Sequence, residues 1–139
     1  MTDEIARWKS ETDRAIASAL QAQSRAGSAV GPLADELLAP LRDVSTGGKR
    51  VRALLLRAAH EACGGTRDGE ATSVAAALEL FQTAALVHDD VLDGSDTRRG
   101  NPATHRRIEA LHTAQGWHGS AAKFGEAGAV LAGDLALMW

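Results

Sequence analysis

Thr72-Ser73-Val74-Ala75-Ala76-Ala77-Leu78-Glu79-Leu80-Phe81-Gln82-Thr83-Ala84-Ala85-Leu86-Val87-His88-Asp89-Asp90-Val91-Leu92-Asp93 reads as one long helix, apolar on nearly every side, that ends in a cluster of carboxylates. Val74, Ala77, Leu78, Phe81, Ala84, Ala85, Leu86 and Val87 cover most of its circumference, and a helix apolar all round is either buried or spans a membrane. Glu79, Gln82 and His88 interrupt it, so no window reaches the roughly 18 apolar residues of a membrane span. The expectation is a core helix in an all-α fold with no integral membrane segment.

The end of that helix carries the chemistry. Asp89 and Asp93 lie four apart, which puts both carboxylates on one side of the helix within reach of the same ions. Asp90 lies about 100° round and is better placed to support the other two. A few hard oxygen ligands suit Mg²⁺, which keeps several waters and takes its remaining ligands from phosphates. Charges that emerge from a buried helix without partners are very costly, and bound cations relieve that cost. Asp89, Asp90 and Asp93 are the candidate metal residues, and Arg98 and Arg99 follow at once to receive a diphosphate.

A second cluster lies upstream, at Gly47-Gly48-Lys49-Arg50-Val51-Arg52, just before the helical pattern of Leu54, Leu55, Ala58 and Ala62. Glycines followed by cations at a helix start make an anion site, since free backbone N–H groups and the helix dipole add to the side-chain charges. Lys49 and Arg52 are three apart and are expected to share a face, with Arg50 pointing elsewhere. The P-loop pattern G-x-x-x-x-G-K-[ST] is absent, which disfavours nucleotide binding.

These two segments, with Ser95-Asp96-Thr97-Arg98-Arg99-Gly100-Asn101-Pro102-Ala103-Thr104-His105-Arg106 after the Asp cluster as a third, resemble in order and spacing the first half of the trans-isoprenyl diphosphate synthases, or polyprenyl synthetases. Motifs in register are far more specific than D-D-x-x-D alone. The resemblance covers about Leu33 to Trp139 and implies the N-terminal half of the isoprenoid synthase helical bundle. It implies Mg²⁺ bridged to an allylic diphosphate by Asp89 and Asp93 with Asp90 in support, and isopentenyl diphosphate bound by Lys49 and Arg52. Arg98 would face the allylic diphosphate and Arg99 the isopentenyl diphosphate. Gln82 stands seven before Asp89, where the family often has a His that touches isopentenyl diphosphate. Asp89, Asp93 and Arg98 are then the catalytic residues. The implied reaction is ionisation of the allylic C–O bond, attack by the isopentenyl double bond and loss of a proton. The protein supplies mainly electrostatics and position. A homodimer is the implied assembly.

At 139 residues the chain lacks the family's second Asp-rich motif, and the apolar pattern from Ala127 runs to Leu137-Met138-Trp139 without a cap. Residues 1–139 are expected to be one partial all-helical domain, inactive by itself. The net charge of −3 gives no support for nucleic-acid binding. One cysteine and no signal segment make the cytoplasm the default. Further helices are expected over about Asp3 to Ala26 and over Leu33 to Leu41, the second bent or ended by Pro40. Others should run from Lys49 to Cys63 and from Thr104 to Leu111, with breaks at Gly27 to Pro32 and Gly116 to Ser120. Asp96 reads as a turn residue, Arg106 and Arg107 as a solvated face, His88 as a packing residue, and Trp139, Phe124 and Cys63 as core.

Two other function classes fit parts of the pattern. A class I terpene cyclase shares the D-D-x-x-D chemistry but has one diphosphate to bind and no use for Gly47-Arg52 or Arg99. A non-catalytic subunit of a heteromeric prenyl synthase would share the fold and lack complete metal sites.

Overall fold

The computed structural model describes residues 2–139. Among them six helices run in the order α1 (Thr2–Val30), α2 (Pro32–Ser45), α3 (Val51–Ala62), α4 (Asp68–Leu92), α5 (Thr104–Ala114) and α6 (Ala121–Met138). The one departure from an all-helical chain is a short antiparallel hairpin between α4 and α5, β1 (Thr97–Arg98) with β2 (Asn101–Pro102), in the register Thr97 to Pro102 and Arg98 to Asn101.

The first break is narrower than the sequence suggests. Helix α1 continues through Gly27 to Val30, and only Gly31, extended at φ 163° ahead of Pro32, interrupts it. The residue before a proline is pushed out of the helical region, and proline is well suited to begin the next helix. Nor does Pro40 end α2, which reaches Ser45 because Leu41 and Ser45 are buried below it. Full burial of a leucine is worth about 1.5–3 kcal/mol, enough to offset much of an interior proline's cost.

Three helix ends share one device. After α3, α4 and α5 the chain turns through Gly64, Gly94 and Gly116, all left-handed at φ 63–73°. The two amides that follow each helix return to its last carbonyls, as in Ser95 N–H to Asp90 O (2.9 Å) and Gly94 N–H to Val91 O (3.3 Å). Glycine is favoured there because a left-handed turn costs other residues a steric clash.

Helix α4 is central. One cluster packs Ala84 and Val87 against Leu38 and Leu41 of α2, Ile108 of α5 and Ala129, Ala132 and Ala136 of α6. Another packs Ala76 and Leu80 against Ile16 and Leu20 of α1, and the partly buried Trp139 touches both. Small residues bring α6 close: a β-carbon on Gly125 would collide with the His105 carbonyl, and one on Gly133 with the His88 ring.

Two expectations about burial need correction. Helix α4 is not enclosed all round: Val74, Leu78, Phe81 (59% exposed), Ala85 and Leu92 (85%) form an open apolar stripe on one face. Its other faces suffice for the neighbours present, so this one has no cover among the described residues. Cys63 is exposed, because it caps α3 at a Gly-Gly turn rather than packing inward. Phe124 is half-buried in a cluster with His112 and Trp117.

Candidate functional site

The carboxylates at the end of α4 divide by face. Asp89 is exposed at the end of the open stripe, and Asp93, also exposed, closes the helix with its N–H donating to Asp89 O at 2.8 Å. Asp90 turns the other way and is fully buried. A buried carboxylate must be paired, and the hairpin supplies the partner. Arg98 of β1 donates from Nε to both Asp90 oxygens at 2.8 Å and from Nη2 to Oδ1 at 2.6 Å, with Asp89 Oδ2 at 3.5 Å. The hydrogen bonds that Arg98 donates to Asp90 raise its pKa above its ordinary value, against a smaller opposing effect of burial.

The turn of the hairpin is Arg99-Gly100, with φ 51° and φ 80°. Positive φ at both central residues is what a tight two-residue hairpin turn of the twisted sheet demands. An arginine there is uncommon and locally strained. The turn carries the Arg99 guanidinium over Gly48, where a β-carbon would stand 3.6 Å from Nη2. Gly47 and Gly48 are themselves left-handed, at φ 76° and 87°. The loop from Gly47 to Lys49 and the Arg98-Arg99 pair, about fifty residues apart in sequence, therefore meet in space.

The cations around this meeting point differ in their partners. Arg98 is committed to Asp90, and Arg50 is buried against Asp13, Ser45 O and Glu79. Lys49, Arg52 and Arg99 are exposed and have no salt bridge among the described residues. Lys49 and Arg52 do not share a helical face, because α3 begins at Val51 and Lys49 lies in the loop before it. The start of α3 is also less free than its sequence suggests: the Ala53 N–H donates to Glu79 Oε1 at 3.2 Å. The exposed cationic side chains, more than open α3 amides, make this end attractive to an anion. Arg52 further borders an open apolar groove of about 910 Å³ between α3 and α4, lined by Leu55, Leu56, Val74 and Leu78.

Gln82 is half-buried on α4, two turns before Asp89 and on the same side. His88 lies with Nε2 3.1 Å from Val130 O and 3.5 Å from Asp134 Oδ1, against α6. Asp96 accepts from Arg106 Nε at 2.7 Å, and Arg107 pairs with Asp43, so these two arginines tie α5 to the hairpin and to α2. Sequence reasoning missed Glu79 and the network around Arg50. The only available signal was a charged residue in the middle of an apolar helix. It also missed the hairpin, for which Arg-Gly is a weak turn signature.

Among the described residues no three His, Cys, Asp or Glu side chains converge as a metal cage. Asp89 and Asp93 nevertheless suit Mg²⁺, being hard oxygen donors one turn apart at an exposed helix end, with the Arg98-Arg99 hairpin beside Asp89 to meet the phosphates Mg²⁺ takes as further ligands.

A family model described as polyprenyl synthetase matches residues 34–139. A short chain isoprenyl diphosphate synthase of Methanothermobacter thermautotrophicus is 39% identical over 92 residues, 66% of this chain and 23% of that protein. A geranylgeranyl diphosphate synthase of Mycobacterium tuberculosis is 56% identical over 55 residues, 40% of this chain and 15% of that protein. The crystal structure of geranylgeranyl pyrophosphate synthase from Corynebacterium glutamicum, complexed with isoprenyl diphosphate and magnesium, superposes with a TM-score of 0.81 at 37% identity, covering 92% of this chain and 38% of that one. The chain thus spans well under half the length of the relatives it matches.

Proposed function

The chain belongs to the polyprenyl synthetase family and has its all-α fold, and from that premise we propose that it is part of a trans-prenyltransferase. The reaction condenses isopentenyl diphosphate with an allylic diphosphate, and the product we favour is geranylgeranyl diphosphate. The observation that carries this reading is the juxtaposition of Asp89 and Asp93, the Arg98-Arg99 hairpin and the Gly47-Gly48-Lys49 loop, two cationic groups beside one carboxylate pair. Two cationic groups suit two diphosphates, which a terpene cyclase would not need.

In this reading Asp89 and Asp93 hold Mg²⁺, and bound Mg²⁺ would neutralise the allylic diphosphate as it leaves. Arg98, oriented by Asp90, faces that leaving group. Arg99, Lys49 and Arg52 hold the diphosphate of the isopentenyl substrate, with Gln82 nearby as a donor. Residues 1–139 act as one partial domain. Homodimeric assembly is part of this reading, favoured by the open apolar stripe along α4, and the lone thiol of Cys63 supports a reducing, cytoplasmic compartment. No described helix is long and apolar enough to cross a membrane.

The test is a graft. Residues 34–139 replace the matching segment of the Corynebacterium glutamicum enzyme, and Mg²⁺-dependent condensation of labelled isopentenyl diphosphate is assayed. Asp89→Ala and Asp93→Ala should each lower turnover by roughly 10²–10³-fold, the scale of losing one preorganised electrostatic group. A graft that folds and is inactive, or one indifferent to both substitutions, sinks the reading.

A further inference from the structure

The Gly47 to Lys49 loop is held by two side chains outside the set that faces substrate. Arg50 follows Lys49 directly and turns the chain into α3 through a left-handed backbone, φ 52° and ψ 37°. Its side chain is only 6% exposed. Nε donates to Asp13 Oδ1 of α1 at 2.7 Å, Nη2 to the Ser45 carbonyl at the end of α2 at 2.6 Å, and Nη1 lies 3.5 Å from Glu79 Oε2 of α4. Glu79 is itself buried, and its other oxygen accepts the Ala53 N–H in the first turn of α3. One guanidinium and one carboxylate thereby join α1, α2, α3 and α4 around a single loop.

Arg50 stands between Lys49 and Arg52, so any shift of its backbone displaces both. A guanidinium presents its donors in a rigid fork, and lysine in its place keeps the charge but loses that fork. The carbonyl of Ser45 and the carboxylates of Asp13 and Glu79 lie in different directions, and one ammonium does not span them.

We propose that Arg50 and Glu79 are positioning residues that fix the Gly47 to Lys49 loop and thereby set the affinity of the neighbouring cations for a diphosphate. The identity of the anion rests on the prenyl-transfer reading; the fixing of the loop does not.

The test uses the 139-residue chain with Arg50→Lys, Glu79→Gln and Asp13→Asn. Asp13 is part-exposed on α1, so its substitution cuts one arm of the network in a chain that keeps its core. Backbone ¹⁵N order parameters are measured at Gly47, Gly48 and Lys49, and inorganic pyrophosphate is titrated calorimetrically. Wild type should show order parameters near 0.85 in the loop, and Arg50→Lys should drop them below about 0.6. The dissociation constant for pyrophosphate should rise roughly tenfold, the kind of loss that misplaced binding groups produce. Glu79→Gln should act in the same direction, and Asp13→Asn should do so more weakly, with a small fall in thermal midpoint and order parameters unchanged in α5 and α6, a pattern that general loss of stability would not give. Loop order parameters that stay at the wild-type value in Asp13→Asn and in any other folded variant overturn the proposal, as does an unchanged dissociation constant. If the wild-type chain binds no pyrophosphate, the order parameters alone decide the role of Arg50, and the diphosphate reading stands or falls with the graft.

Discussion

Arg98 and Arg99 are adjacent in sequence and opposite in circumstance. Arg98 is locked onto a buried carboxylate, whereas Arg99 sits on a strained turn with its guanidinium over Gly48. In the active graft, Lys49→Ala or Arg52→Ala should raise KM for isopentenyl diphosphate more than for the allylic substrate, and Arg98→Ala the reverse. Equal effects on both substrates would remove the two-site reading. Asp35 gives a prediction about pH. Its carboxyl is held below the ordinary range by hydrogen bonds from Arg42 (2.6 Å) and from the Ser24 hydroxyl. A lowered folded-state pKa means that this contribution is complete above the unfolded carboxyl value of about 3.9 and disappears as pH falls through the folded value. The gap in thermal midpoint between wild type and Asp35→Asn should be constant from pH 7 to 5 and shrink toward pH 3; a gap independent of pH contradicts this. At this scale the spacing of Asp89, Asp90 and Asp93 was legible, since helical periodicity alone separates the middle one from the other two. That Arg98 answers Asp90 was not, because it depends on a hairpin whose Arg-Gly turn has little sequence signature.

Whole elements were legible where their signals were covalent or steric and less so where tertiary packing decides. Gly64-Gly65 and Gly116 ended their helices as expected, through backbone conformations that glycine accepts most easily. Pro40 and Gly27 gave the wrong boundary, because buried Leu41 and Ser45 hold α2 together beyond Pro40, and Gly27 packs against Ala34 and Leu38 of α2. The glycines of α6 carry a packing requirement that composition does not reveal. Gly125→Ala drives a methyl group into the His105 carbonyl, backbone that cannot give way, and overpacking of this kind costs about 1–3 kcal/mol, whereas at Gly133 the half-buried His88 ring can swing aside and Gly133→Ala should cost less. Gly69, near the start of α4 with open space around it, is the contrast, and Gly69→Ala should stabilise by about 0.4–1 kcal/mol. Denaturant midpoints of the three variants check this. Gly125→Ala as stable as wild type would mean that α5 and α6 do not approach as closely as the Gly125–His105 carbonyl contact requires.

On the scale of the whole molecule, α4 is closed toward α1, α2 and α6 and open along Val74, Leu78, Phe81, Ala85 and Leu92, the stripe that ends at Asp89. Its all-round apolar sequence announced burial on every side; the described residues cover only part of it. A site open on this side does not exclude water from a carbocation, so the 139-residue chain by itself should show no measurable condensation, and turnover by homogeneous material of that length would overturn this. Under the prenyl-transfer reading the same geometry bears on product length. If the growing chain runs from Asp89 along the open stripe, residues one and two turns below form successive floors. Ala85 and Phe81 lie on that face, whereas Ala84 is fully buried against α6 and cannot line a path there. A small residue at the first floor lets the product pass the farnesyl stage, and the Phe81 ring below it favours a stop at geranylgeranyl diphosphate. In the active graft, Ala85→Phe should therefore shorten the product and Phe81→Ala lengthen it, while Ala84→Phe should disrupt the core and lower the yield of folded protein without changing chain length. Chromatography of the dephosphorylated products separates these outcomes. A graft that stops at farnesyl with Ala85 intact, or that lengthens no chain when Phe81 is removed, would show that the tail leaves the Asp cluster by another route.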